Sequence, residues 1–184
     1  MDKYIETPLT KEKVKELHAG DYVYITGTVY TARDAAHKRM VEQKEQGMEL
    51  PFIMKDQIVY YLGPTPNREG QVIGSAGPTT SSRMDKYTPL LLSKGLKGMI
   101  GKGKRSQAVI DAIVKEKAVY MAAVGGVGAL LSKCIKESEV IAYDDLGTEA
   151  IRKMRVENLP VIVVIDSEGH NLYETAVADY LKEH

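Results

Sequence analysis

From residue 96 onward, strand-length apolar runs alternate with helix-length amphipathic runs, and this constrains the fold of the 184-residue chain most. Residues 96–100, 118–124, 140–143 and 160–166 read as strands. Residues 106–117 and 148–156 read as helices between them, as does a segment opened by Gly125-Gly126-Val127-Gly128 and running to about Lys136. A turn at 167–170 precedes a last short strand and a terminal helix. Such alternation predicts an α/β fold, with a sheet covered by helices.

The first half has more strands per helix, which implies an added β element. A short helix spans 11–18, capped by Thr10, stapled by Leu9 and stopped by Gly20. Strands follow at 21–30, 58–62 and 71–75, with a loop at 63–67. Thr31 caps a helix over 32–46 that Gly47 ends, and Gly95 closes a helix over 83–94. The length fits a single domain over residues 1–184, with enough buried surface for a core without staples.

Composition narrows the class. One cysteine, Cys134, allows no intrachain disulfide and no cysteine zinc or iron–sulfur site within this chain. The N-terminal hexapeptide has no apolar run, and no 18-residue apolar stretch occurs anywhere. Neither a signal peptide nor a membrane span is therefore expected, and the chain reads as cytoplasmic. Lys plus Arg and Asp plus Glu both number 25, which disfavours a nucleic-acid binder. The zero sum hides an imbalance. Residues 83–105 hold seven basic side chains and one acid, a net +6 that leaves −6 for the rest.

Two glycine-rich segments invite a phosphate reading. Gly98-Met99-Ile100-Gly101-Lys102-Gly103-Lys104 matches seven positions of the phosphate loop G-x-x-x-x-G-K-S/T. Arg105 then stands where a magnesium-binding hydroxyl is required, Ser106 comes one residue late, and only Asp166 could be nominated as the metal's acid. Nucleoside triphosphate binding is disfavoured. Gly125-Gly126-Val127-Gly128 lacks the dinucleotide spacing. It reads as a tight strand-to-helix turn, although its N–H groups could also meet an anion.

Three segments combine hydroxyls or small residues with permanent cations. In Thr31-Ala32-Arg33-Asp34-Ala35-Ala36-His37, Arg33 and His37 lie four apart on one helix face. Gly77-Pro78-Thr79-Thr80-Ser81-Ser82-Arg83-Met84-Asp85 puts four hydroxyls at a helix start, with Arg83 one turn after Thr79. The third is Gly101-Lys102-Gly103-Lys104-Arg105-Ser106. Each alone has an ordinary reading as a cap, a solvated cation or a local pair. Together, two guanidinium forks, a lysine and helix N-terminal N–H groups make a site for a small anion with more than one carboxylate.

In order and spacing, these segments resemble the β subunit or C-terminal domain of class I iron–sulfur hydro-lyases, the family of fumarate hydratase and L(+)-tartrate dehydratase. The likeness runs over nearly the whole chain, including Gly147-Thr148-Glu149-Ala150-Ile151 and the strand at 160–166. It implies a swivelling β/β/α domain. It implies a 4Fe–4S cluster carried by a partner α subunit, with none bound by this chain alone, and an α₂β₂ assembly at the family level. Arg33, Thr80, Arg83 and Lys102 would meet the carboxylates of a small dicarboxylate. Thr79 matches a threonine of the proton-transfer step, and His37 would act from behind the site. Lys104 stands where many relatives have an uncharged residue. The implied activity is reversible hydration of fumarate to malate, or tartrate dehydration. A stand-alone small-anion-binding domain is the non-catalytic alternative.

Overall fold

The computed structural model describes residues 2–62, 76–124 and 131–175. The expected loop at 63–67, the strand at 71–75, the Gly125-Gly126-Val127-Gly128 turn and the terminal helix past 175 lie outside the described residues. The fold is mixed α/β. In chain order the elements are β1 (Asp2–Glu6), α1 (Lys11–Lys15), β2 (Tyr22–Thr31), α2 (Asp34–Glu45), β3 (Ile58–Tyr60), α3 (Thr88–Ser93) and β4 (Gly98–Gly101). They continue with α4 (Gln107–Glu116), β5 (Val119–Ala123), β6 (Ile135–Ala142) and β7 (Ile151–Ile165). Short 3₁₀ segments occupy Ser81–Met84 and Asp144–Glu149.

Strands β1 to β5 are neighbours in that order, and each adjacent pair runs parallel. β7 then pairs antiparallel with β5, β6 and β2. The β2–β7 pairing closes β2, β3, β4, β5 and β7 into a five-strand barrel, and leaves β1 and β6 outside the ring. Closure shows in the side-chain alternation. Ile58, Tyr60, Ile100, Val119, Met121, Val161 and Val163 share one buried cluster. Their sequence neighbours Val59, Tyr61, Met99 and Tyr120 join a second, beneath Ala36 and Met40 of α2, Leu91 and Leu92 of α3, and Val109 and Ile113 of α4. Strands buried on both faces read as near-continuous apolar runs, which is why they were visible in the sequence.

Four elements differ from the expectations read from the sequence. β1 was not anticipated, because its alternation is half exposed and carries charge. The helix expected at 148–156 is instead the start of β7. Ile151 and Met154 sit three apart as on a helix, but pairing to both β2 and β6 overrides that local signal. The helix expected to reach Lys136 has ended before β6 begins at Ile135. The helix expected over 83–94 is split into a 3₁₀ segment and α3, with Pro89 near the start of the latter.

The end signals fared unevenly. Thr10 accepts from the Lys13 N–H as an N-cap, and Gly47 and Gly95 adopt the left-handed conformation that ends a helix. Thr31 does not cap α2. It is the last residue of β2, and its Oγ1 accepts from the Arg152 N–H at 3.1 Å. Among the described residues, no helix is long and apolar enough to cross a membrane.

Candidate active site

The parallel run fixes where the three cationic segments go. The carboxyl ends of β2, β3 and β4 reach the same rim, the end at which parallel α/β sheets and barrels present ligand-binding loops. Thr31 ends β2 and leads to Arg33, Tyr60 ends β3, and Gly101 ends β4 before Lys102. Backbone bonds continue the register past the strands. The Ala32 N–H donates to the Tyr60 carbonyl at 3.1 Å and the Tyr61 N–H to the Ile100 carbonyl at 2.8 Å. The Thr79 N–H donates to the Tyr61 carbonyl and the Ser81 N–H to the Lys102 carbonyl, each at 2.8 Å. Thr80 and Lys102 form an isolated parallel bridge.

All three segments therefore meet. Arg83, half-exposed on the 3₁₀ turn, places Nε 2.7 Å from Oδ2 of Asp34, which joins the second segment to the first. Arg33 is partly exposed, with Nε 3.9 Å from Oε1 of Glu149. Thr79 is partly buried, while Thr80 and Lys102 are exposed. His37 is wholly buried beneath them. Arg33, Thr79, Thr80, Arg83 and Lys102 thus gather at one rim, and His37 lies behind it.

Behind the rim sits Arg105, the residue of the third cationic segment that breaks the phosphate-loop pattern. Its side chain is 0 % exposed. Nε donates to Oδ1 of Asp85 at 2.7 Å, and one terminal nitrogen donates to Thr88 Oγ1 at 2.9 Å. The guanidinium lies over the rings of Tyr61 and Tyr120, 5.2 and 4.7 Å from their centroids. Burial works to lower the Arg105 pKa, but Tyr61, Asp85 and Tyr120 more than offset it, so the pKa is raised and the cation is kept. Oδ2 of Asp85 accepts from the Ser106 N–H at 2.8 Å. The Tyr120 hydroxyl reaches Ser81 Oγ at 2.7 Å and the Gly103 carbonyl at 2.8 Å. One buried cation thus ties the loop after β4 to the 3₁₀ turn that carries Arg83. Nothing local in the sequence marks this, because every partner lies on another element.

The glycines of the false phosphate loop have a packing role. A Cβ at Gly98 would lie 2.9 Å from side-chain atoms of Ile58 and Leu9, and one at Gly101 would lie 2.0 Å from Ser81 Oγ. Both residues sit in β4 rather than in a phosphate-cradling turn.

His37 is held neutral. Burial pushes its pKa down to about 4, opposed only in part by its bond to the Arg33 carbonyl, 2.8 Å from Nδ1. That bond places the proton on Nδ1 and leaves Nε2 a bare acceptor with no hydrogen-bond partner among the described residues. The ring stands edge-on to Tyr61 at 5.4 Å, whose hydroxyl is likewise buried and unpartnered.

Among the described residues, no group of three or more His, Cys, Asp or Glu side chains is placed to hold a metal ion. The one thiol, Cys134, faces the Asn158 carbonyl. These residues do not fit an iron–sulfur cluster.

Two consequences follow for stability. Removing Arg105 leaves the largely buried Asp85 carboxylate without its cation, so Arg105→Ala should cost about 3–5 kcal/mol in urea unfolding. Unfolded His37 binds a proton below its ordinary pKa of 6.5, whereas the folded residue does not until about 4. Stability should therefore fall as pH drops from 6.5 to 4, and His37 should account for about 3 kcal/mol of the loss. In His37→Gln that part of the slope should vanish from unfolding curves taken across the window.

Comparison with known proteins gives the same grouping. The chain is 37 % identical over 178 residues to fumarate hydratase 2 of Leishmania major, covering 95 % of this chain and 31 % of the relative. It is 42 % identical over 155 residues to the anaerobic class I fumarate hydratase of Escherichia coli, covering 83 % of this chain and 28 % of the relative. The chain thus spans under a third of the length of these fumarate hydratases. A Methanocaldococcus jannaschii protein named as an L(+)-tartrate dehydratase subunit beta is 36 % identical over 178 residues, covering 94 % of this chain and 91 % of that one. With residues 3–176 matching the family described as Fumarase C-terminus, the chain belongs to that family.

Proposed function

We propose that this chain is the β subunit of a two-subunit iron–sulfur hydro-lyase that hydrates fumarate reversibly to malate. The observation that supports this most is the meeting of Arg33, Thr79, Thr80, Arg83 and Lys102 at the carboxyl rim of one parallel run. In this reading the barrel and its helices are the family's swivelling β/β/α domain, one such unit across residues 1–184. The partner α subunit carries the 4Fe–4S cluster, the complex is an α₂β₂ cytoplasmic enzyme, and this chain closes one side of a shared site.

The chain's own residues then have three tasks. Arg33, Arg83 and Lys102 bind and orient the two carboxylates, with guanidinium forks suited to bidentate contact. Thr80 contributes a hydroxyl to the same carboxylate contacts. The cations also stabilise the extra negative charge that builds on a carboxylate as the adjacent carbon loses its proton. Thr79 handles that proton. A threonine hydroxyl is a weak base by itself, so the role depends on neighbouring cations or on an acid from the partner. The backbone bond from Thr79 to Tyr61 fixes where the hydroxyl-bearing residue sits. His37, buried and neutral, bonds the Arg33 carbonyl and so supports the start of α2.

One observation favours a second substrate. The relative whose length this chain nearly matches bears the tartrate dehydratase β-subunit name. The same clamp serves L(+)-tartrate, a dicarboxylate with one more hydroxyl than malate, and the choice between the two then rests with the whole site.

Reconstitution with an iron–sulfur partner tests the reading. The pair should hydrate fumarate or dehydrate tartrate, and this chain alone should do neither. Arg83→Ala should retain the fold by circular dichroism yet lose at least about a hundredfold in kcat/KM. Near-normal turnover in that variant, or hydratase activity from the pure chain without a cluster, would contradict the assignment.

A further inference from the structure

On the proposed dicarboxylate clamp rests a further step: we infer that Asp34 is a positioning residue that aims Arg83 at a substrate carboxylate. Arg83 rides a four-residue 3₁₀ turn, and its side chain is half-exposed. A long side chain on so short a support has many rotamers, and fixing one needs a second anchor. Asp34 is that anchor. It stands in the first turn of the twelve-residue helix α2, and its Oδ2 lies 2.7 Å from Arg83 Nε. A guanidinium has five donors, so a carboxylate on the Nε side leaves others for a second carboxylate.

Stability gives a poor account of the same pair. Partly exposed ion pairs contribute little. Meanwhile Oδ1 of Asp34 is buried without a hydrogen-bond partner among the described residues, which is a cost. Glu149 stands near the other arginine in a looser arrangement, with Arg33 Nε left without a hydrogen-bond partner among the described residues. Its Oε1 lies 3.9 Å from Arg33 Nε and accepts from the Ala35 N–H at 3.4 Å, in the first turn of the same helix. Each arginine of the clamp thus has an acid on its Nε side, within hydrogen-bond distance for Arg83 and beyond it for Arg33, and both acids are referenced to the start of α2.

Charge makes the inference decisive to test, because two roles predict opposite signs. If Asp34 only balances charge, removing its negative charge strengthens the field on a dianion and lowers KM. If it aims Arg83, removing it weakens carboxylate binding and raises KM. In the enzyme assembled with its partner and assayed with fumarate, Asp34→Asn should raise KM about tenfold and leave kcat within about threefold, the pattern of a lost binding contact. Asp34→Glu should recover part of the loss, and the melting temperature should move by no more than a few degrees. Asp34→Asn added to Arg83→Gln should cause no further loss, because the residue it aims is gone. An unchanged or lower KM in Asp34→Asn, beside a crippled Arg83→Gln, would overturn the positioning role and leave the clamp standing. A near-normal Arg83→Gln would overturn the clamp itself and the inference with it.

Discussion

The barrel depends on a topological constraint: a run of parallel strands has no short way to close on itself. Strands β2 to β5 are parallel, so each must return across the outside of the sheet before the next begins. The fifteen-residue β7 solves the closure by lying antiparallel against both β2 and β5. The consequence for chemistry is direct. Parallel strands end at one rim, so segments far apart in sequence, around Arg33, Thr79 and Lys102, arrive together without any side chain having to draw them there.

What the backbone delivers, a buried cation holds. Arg105 sits between two tyrosine rings with Asp85 on its Nε, and Asp85 in turn receives the Ser106 N–H. Taking a guanidinium out of water is expensive, and it is tolerated only when its donors are met. That requirement couples the loop after β4 to the turn bearing Arg83. Gly101 belongs to the same arrangement, since a methyl group there would strike the serine that Tyr120 bonds. His37 adds an opposite case. It too is buried under the rim, but as a neutral ring whose one proton is spent on the Arg33 carbonyl. The rim is positive, and the layer beneath it mixes a compensated cation with an uncharged imidazole.

Much of this was legible from residues alone, and the gaps have physical causes. Doubly buried strands such as Val119–Ala123 announce themselves as apolar runs. The three cationic segments were visible because each concentrates donors within a few residues. β7 was misread over its first half because Thr148 and the spacing of Ile151 and Met154 imitate a capped helix, while the pairing that makes it a strand is wholly non-local. Thr31 looked like a cap for the same reason, since only the fold brings Arg152 to its hydroxyl. Asp34, Asp85 and Glu149 stood inside segments already singled out, yet their partners, Arg83, Arg105 and Arg33, could not be matched without the structure.

In the proposed reading this chain is one jaw of a shared site, cationic at its rim, with the cluster on its partner. A crystal structure of the assembled enzyme with malate bound tests that most directly. It should show the Arg83 guanidinium and the Lys102 ammonium within hydrogen-bond distance of malate carboxylate oxygens, with Asp34 still on Arg83. Malate held by the partner chain alone, with Arg83 and Lys102 turned to solvent, would contradict it.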